Sequence, residues 1–286
     1  MGKKLSKEEQ EQKEVNELRT KVIKLFHGQQ ILFVGTPGSG KSSFVNTVNH
    51  ALNLVDPEVP YQEFARIGGT GADHGTMTYR TYTMKRGLFQ SLKSQVPNPS
   101  NAPKFFDIAG VSETLLQRDH FDFKQLLIYL VQGKVKEFTQ MIEVYNNKQQ
   151  LKEIEKQEAI KSNKVWIMVC VVSLYDPFPQ LFLEQVASAA RELESQDGGA
   201  SVFVVLTKGD RLDRVDRSTR VKDFRKRCQT VVNIMERRIF EVNNYLPSEL
   251  KIDATMTKNI EKEKSVVAAL NLMLQPANNP VVNEES

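Results

Sequence analysis

Gly35-Thr36-Pro37-Gly38-Ser39-Gly40-Lys41-Ser42 is the stretch from which the rest of the chain is read. The apolar run Ile31-Leu32-Phe33-Val34 precedes it, and a helical pattern carrying Phe44, Val45 and Val48 follows. Strand, glycine-rich loop and helix in that order are the setting of the P-loop signature G-x-x-x-x-G-K-[ST]. Glycine lets the backbone curl until successive N–H groups point inward, where they can hold phosphate oxygens. The next helix aims its partly positive N-terminus at the same place. Gly35, Pro37, Gly38, Ser39, Gly40, Lys41, Ser42 and Ser43 are therefore the expected phosphate-binding set. Lys41 reaches for the β- and γ-phosphates and is also the first catalytic candidate, while the Ser42 hydroxyl is a ligand for Mg²⁺.

Composition sets the frame. The 286 residues are 40% hydrophobic and 26% charged, which fits one large α/β domain with accessory helices. A net charge of +4 is mild and calls for no nucleic-acid partner. Lys and Arg are dense between Lys208 and Arg238, which reads as a solvated basic helix face. The two cysteines, Cys170 and Cys228, imply no disulfide framework, and a reducing compartment is expected. No apolar run approaches the ~20 residues of a membrane span. Residues 1–14 are charged and lack the apolar core of a secretory signal. Met1-Gly2-Lys3-Lys4-Leu5-Ser6 matches the N-myristoylation pattern, so Gly2 is a lipidation candidate, with Lys3, Lys4 and Lys7 as a basic second signal. That predicts weak membrane association; the competing reading is a plain leader.

Along the chain, residues 5–26 read as a helix whose second half docks through Leu18, Val22 and Leu25, with a stop at Gly28. A strand over 30–34, the P-loop and a helix from Lys41 to about Leu54 follow. Residues 68–76 hold four glycines and read as a mobile loop, leading into a Thr- and Tyr-rich strand from Thr76 to Met84. Phe105-Phe106 lead into Asp107-Ile108-Ala109-Gly110. Residues 112–150 look helical with a break at Gly133, and 147–163 read as an exposed helix end or loop. Buried parallel strands are predicted over 165–172 and 201–206, with a helix over 180–194 between them. A basic helical region covers roughly 216–244, then a last strand at 250–252 and a helix over 259–274. The predicted organisation is a charged leader helix over 1–27, a P-loop G domain over 28–276 and a loose tail over 277–286. Its fold class is α/β, with a mostly parallel central sheet and helices on both faces. Ligands on such sheets bind beyond the carboxyl ends of the strands, where all three motifs fall.

Asp107 ends an apolar strand, where an aspartate holds Mg²⁺, usually through water. Gly110 has no side chain, so its N–H can approach the γ-phosphate. Thr207-Lys208-Gly209-Asp210 selects the base. Guanine offers two donors on one edge, N1–H and the N2 amino group, and a carboxylate accepts both. Adenine presents a lone pair there and is repelled. Lys208 can cover the base plane, and Thr207 begins the motif. The competing reading of this motif is an ordinary solvated turn. The mobile loop should supply a hydroxyl that ligates Mg²⁺ only with the γ-phosphate in place. Thr76 is the first choice, for Mg²⁺ and for catalysis, with Thr78 and Thr70 as alternates; His74 is nearby. A loop after the last strand should meet guanine O6 with backbone N–H groups, and Ala254 and Thr255 occupy that place. Val111 stands where small Ras-like GTPases carry a glutamine that positions the attacking water. Hydrolysis is therefore expected to be slow, or aided from elsewhere.

In this order the motifs resemble a P-loop GTPase of the TRAFAC class. Gly40-Lys41-Ser42-Ser43-Phe44-Val45-Asn46, Tyr79-Arg80-Thr81-Tyr82, Asp107 through Glu113 and Tyr129-Leu130-Val131-Gln132-Gly133 are similar to the interferon-induced protein 44 family over roughly residues 25–260. Unlike longer members of that family, the chain has only a short helix before the P-loop and no TLDc-type domain. The resemblance implies a cytoplasmic GTP-binding protein of immune defence. GTP or GDP with Mg²⁺ are the expected ligands, and a nucleotide-dependent homodimer or an activating protein the expected partner. A non-hydrolysing GTP sensor or membrane-associated scaffold and an ATP-dependent P-loop enzyme are the rival readings.

Overall fold

Continuous burial along the central strands explains the architecture. In the computed structural model, which describes residues 6–52, 79–83, 103–196, 199–245 and 259–275, a six-stranded sheet runs in the order β2-β3-β1-β4-β5-β6. The strands are β1 (Gln30–Gly35), β2 (Arg80–Thr83), β3 (Lys104–Asp107), β4 (Ile167–Ser173), β5 (Ser201–Thr207) and β6 (Ile239–Glu241). Neighbours are parallel except β2, which runs antiparallel to β3 at the edge. The parallel β1–β3 register sets Phe33 against Asp107, and β1–β4 sets Gly35 against Val171. The P-loop and Asp107 thus leave the sheet side by side.

The helices are α1 (Lys7–Lys24), α2 (Lys41–Leu52), α3 (Glu113–Leu116), α4 (Phe123–Val131), α5 (Met141–Asn146), α6 (Lys148–Glu155), α7 (Gln180–Ser195), α8 (Arg214–Val232) and α9 (Ile260–Met273). Successive strand residues point to opposite faces, and both faces here are apolar. Leu32, Val34, Phe106, Met168, Cys170 and Val204 meet α4, α7 and α8 on one side. Ile31, Phe33, Phe105, Val169, Val171 and Val205 meet α1, α2 and α9 on the other. Each fully buried large side chain contributes about 1.5–3 kcal/mol. Phe33, packed edge-on against Phe44 at 5.8 Å and Phe105 at 5.6 Å, therefore fixes α2, and the loop before it, to the sheet.

The N-terminal helix starts at a capping box, Ser6 with Glu9, and its second half buries one face through Val15, Arg19, Val22 and Ile23. No helix among the described residues is long and apolar enough to cross a membrane. Three expectations need correction. The basic helical region does not run to residue 244. Helix α8 ends at Val232, Asn233 takes the left-handed conformation at φ 59°, and β6 follows at Ile239–Glu241. Asparagine tolerates that conformation and stops a helix as glycine does. The helical stretch 112–150 breaks at Gly133 as expected, but it is also cut after Leu116 and at Asn147, and beyond Gly133 it resumes only at Met141. Within 147–163, helix α6 is not a wholly exposed end, because it buries Leu151 and Ile154. The expected strand at 250–252, the tail beyond 276, Gly2, Thr70, His74, Thr76, Thr78, Ala254 and Thr255 lie outside the described residues.

Candidate functional site

The carboxyl ends of β1, β3, β4, β5 and β6 converge, and the P-loop lies among them. Gly38 and Gly40 have φ of +71° and +91°, a conformation that side chains disfavour. Gly35 admits no side chain for a different reason: a Cβ there would lie 2.4 Å from the Val171 carbonyl oxygen on the neighbouring strand. The loop closes through Ser39 N donating to Thr36 O and enters α2 with Phe44 N donating to Gly40 O. Ser39 is fully buried, and its hydroxyl has no hydrogen-bond partner among the described residues.

Lys41, 7% exposed, begins α2 and points back across the loop, with Nζ 3.5 Å from Thr36 O. Burial pushes its pKa down, and the Asp107 carboxylate opposes that shift. A buried ammonium in this position lacks a counter-charge close enough to offset its desolvation, which an anion held by the loop would supply. Ser42 Oγ donates to Asp107 Oδ2 at 3.2 Å. The hydroxyl and carboxylate expected to share a hard cation are therefore already adjacent.

Beyond Asp107 the chain crosses the P-loop. Val111 N donates to Gly35 O at 3.1 Å. A Cβ on Gly110 would sit 2.6 Å from Pro37 N and 2.9 Å from the Thr36 carbonyl carbon, so only glycine fits. Val111 is 1% exposed and packs in the core, and its side chain carries no polar group that could orient a water. The buried Tyr145 hydroxyl donates to Ala109 O at 2.7 Å. Glu113 Oε1 accepts from the backbone N–H groups of Leu181 at 3.0 Å and Phe182 at 3.4 Å. Helix α7 has Pro179 at its N-cap and no side-chain cap of its own, so Glu113 supplies it.

At the end of β5, buried Thr207 donates from Oγ1 to Ser39 O at 2.6 Å, tying the base motif to the phosphate loop. Lys208 adopts a left-handed conformation at φ 59°, and its ammonium pairs with Asp176 Oδ2 at 3.2 Å. Gly209 is hemmed in, since a Cβ would meet Glu241 Oε1 at 2.8 Å and Arg217 Nε at 3.1 Å. Asp210 is exposed, and its carboxylate has no partner among the described residues.

The loop that leaves β6 was missed at the level of sequence. Val242–Tyr245 follows that strand directly, and Asn244 Nδ2 donates to Gly40 O at 3.2 Å. Asn243 Oδ1 and Asn244 Oδ1 are buried without partners among the described residues. The available signal was the polar pair after the apolar Ile239-Phe240; three residues of strand beside a long basic helix hid it.

No family model matches the chain, and no curated protein matches it. Among solved structures it is similar to Toc33 from Arabidopsis thaliana in complex with Mg²⁺ and GMPPNP, with 14% identity, 94% of each chain covered and a TM-score of 0.49. It is also similar to Toc33 from the same plant in complex with GDP and Mg²⁺, at 14% identity, with 92% of this chain and 94% of that one covered and a TM-score of 0.43. A third structure concerns dimerization and GTPase activity of chloroplast translocon components; identity is 13%, coverage 90% and 91%, and the TM-score 0.43. At such identities, residue roles are read from this chain alone.

Proposed function

We propose that this chain is a guanine-nucleotide-binding protein that holds GTP or GDP with Mg²⁺ and hydrolyses GTP slowly, as a switch or self-assembling GTPase. One observation carries the reading: Thr207 joins the base motif to the phosphate loop, with Asp210, unpartnered among the described residues, beyond it and buried Lys41 at the start of α2. The unpartnered Ser39 hydroxyl, the positive-φ glycines and the Ser42–Asp107 pair all suit a Mg²⁺-bound phosphate chain. In this reading Lys41 and the loop amides bind phosphate oxygens, Ser42 and Asp107 hold Mg²⁺, and Asp210 accepts from the guanine edge. The cation, when bound, neutralises charge developing on the transferred phosphoryl group. Asn243 and Asn244 extend the base site from the other side.

Slow turnover is inferred from Val111, whose buried apolar side chain orients no water. The same residue favours a second reading, a GTP sensor that does not hydrolyse. We keep Thr76 as the switch hydroxyl, Ala254 and Thr255 as base-loop residues and Gly2 as a lipid anchor as parts of this proposal. The cytoplasmic, defence-related setting and the kinship with interferon-induced protein 44 belong to it too. Buried, unpaired Cys170 and Cys228 suit a reducing compartment. Displacement of a fluorescent GDP tests the reading: GTP should compete and ATP should not, with Mg²⁺ required for full affinity. Equal competition by ATP contradicts it. Single-turnover phosphate release then separates the slow enzyme from the sensor.

A further inference from the structure

Away from the phosphate loop, one charged cluster is wholly buried. Arg19 of α1 and Glu263 of α9 have side chains 1% and 0% exposed and pair at 2.8 Å. Arg19 also donates from Nε to Ala51 O at 2.6 Å, near the end of α2, and from Nη1 to Asn16 Oδ1 at 2.6 Å. The other Glu263 oxygen lies 3.9 Å from Nε2 of His50, also on α2. The His50 ring packs edge-on against Tyr245 at 4.7 Å. Tyr245 lies on the segment that leaves β6, and its N–H donates to Thr47 Oγ1 at 3.0 Å. Thr47 in turn donates to Ser43 O, beside the P-loop. On the surface, Glu14 and Lys264 add a 2.9 Å contact between the same two outer helices.

A buried ion pair is a poor way to add stability, because desolvation offsets much of the attraction. Its strength is geometric. Asn16, on α1 itself, orients the Arg19 guanidinium, and the two acceptors on other helices, Ala51 O on α2 and Glu263 on α9, fix the rotation and height of α1 against both. Undocking α1 would leave the Glu263 carboxylate and Ala51 carbonyl short of this partner, so these contacts are lost together when the helix leaves. We propose that Arg19, acting through Glu263 and His50, is a positioning residue for Tyr245 and the loop Val242–Tyr245. Docking of the N-terminal helix and occupancy of the base site are then one linked equilibrium. This rests on the guanine-nucleotide reading above, and it adds a control element remote from the nucleotide. Linkage is reciprocal: if α1 docking raises nucleotide affinity, nucleotide must hold α1 down by the same factor.

Two measurements on the full chain test it. Amide exchange of residues 7–24 is followed in the wild type with and without GDP–Mg²⁺. Protection of α1 by GDP, about fivefold or more, is expected from the usual range of coupling. The double variant Arg19→Met with Glu263→Met replaces the ion pair by apolar side chains of similar length, which a core tolerates better than either single change. Its GDP affinity should fall about tenfold with ADP affinity unchanged, narrowing the base preference while the chain stays folded, its melting temperature lowered only by the Ala51 carbonyl left without its donor. His50→Phe keeps the ring contact but cuts the link to Glu263, and should show a smaller loss in the same direction. A wild type that binds GDP with α1 exchange unaltered overturns the inference alone, as does a folded double variant with undiminished base preference. A wild type with no affinity for GDP overturns the parent reading, and this one with it.

Discussion

The hydroxyl of Thr207 donates a 2.6 Å hydrogen bond to the carbonyl oxygen of Ser39, joining residues 168 positions apart. Both are fully buried. This bond locks the end of the base-selecting strand to the middle of the phosphate loop. In the proposed reading this donor couples base to phosphate recognition, and Asn244 Nδ2 on Gly40 O is a second tie.

Thr207→Val keeps the shape and removes that donor. A buried carbonyl left unmatched costs about 1–3 kcal/mol. Urea denaturation should show a loss of that size, and GDP affinity should weaken with it. Wild-type stability in the variant would show that the tie is unimportant.

Lys41 bears on pH as well as on binding. Its pKa is lowered in the folded chain by burial, with Asp107 opposing. Between that value and the ordinary lysine range the unfolded chain binds the extra proton, so stability without nucleotide rises with pH there. Lys41→Met should lose this slope in urea titrations across the alkaline range and be at least as stable as wild type near neutrality. Its nucleotide affinity should fall about 100-fold, the scale of one or two lost charge-assisted bonds. A variant with the wild-type slope contradicts the buried-ammonium assignment.

Gly110→Ala puts a Cβ 2.6 Å from Pro37 N, against backbone that cannot rotate aside. The segment after Asp107 must withdraw from the P-loop. Affinity for a non-hydrolysable GTP analogue should fall about tenfold or more, the worth of one hydrogen bond to a charged group, with GDP affected less. Equal losses for both nucleotides in calorimetry would place Gly110 away from the γ-phosphate.

Glu113 caps a helix that has no cap of its own. Glu113→Ala should cost about 0.5–2 kcal/mol in thermal unfolding, and Glu113→Gln, which keeps the acceptor, should recover most of it. An unchanged melting temperature in the alanine variant would contradict the assignment.

The sheet and the phosphate half of the site were legible in the chain because their signals are local. Val169 through Val172 can only be a buried strand, and Gly38-Ser39-Gly40-Lys41-Ser42 carries its own geometry. The base half was legible only to Asp210. Strand β6 takes its order from pairing Val204, Val205 and Leu206 with Ile239, Phe240 and Glu241, a long-range contact that no local pattern announces. With that strand unseen, Asn243 and Asn244 had no context. Arg19 and Glu263 were equally opaque, since each looks like an ordinary surface charge on a polar helix until α1 and α9 meet.

The central claim is that Asp210 selects guanine, and calorimetry with Mg²⁺ tests it most directly. GDP, ADP and xanthosine diphosphate are titrated into the wild type and into Asp210→Asn. Xanthine carries a carbonyl where guanine has its N2 amino group, so an asparagine amide can donate where the carboxylate had accepted. The wild type should prefer GDP over ADP, and the variant should lose GDP by about 100-fold or more while gaining xanthosine diphosphate. Equal wild-type affinities for GDP and ADP, or a variant that keeps its GDP affinity, would contradict the guanine site.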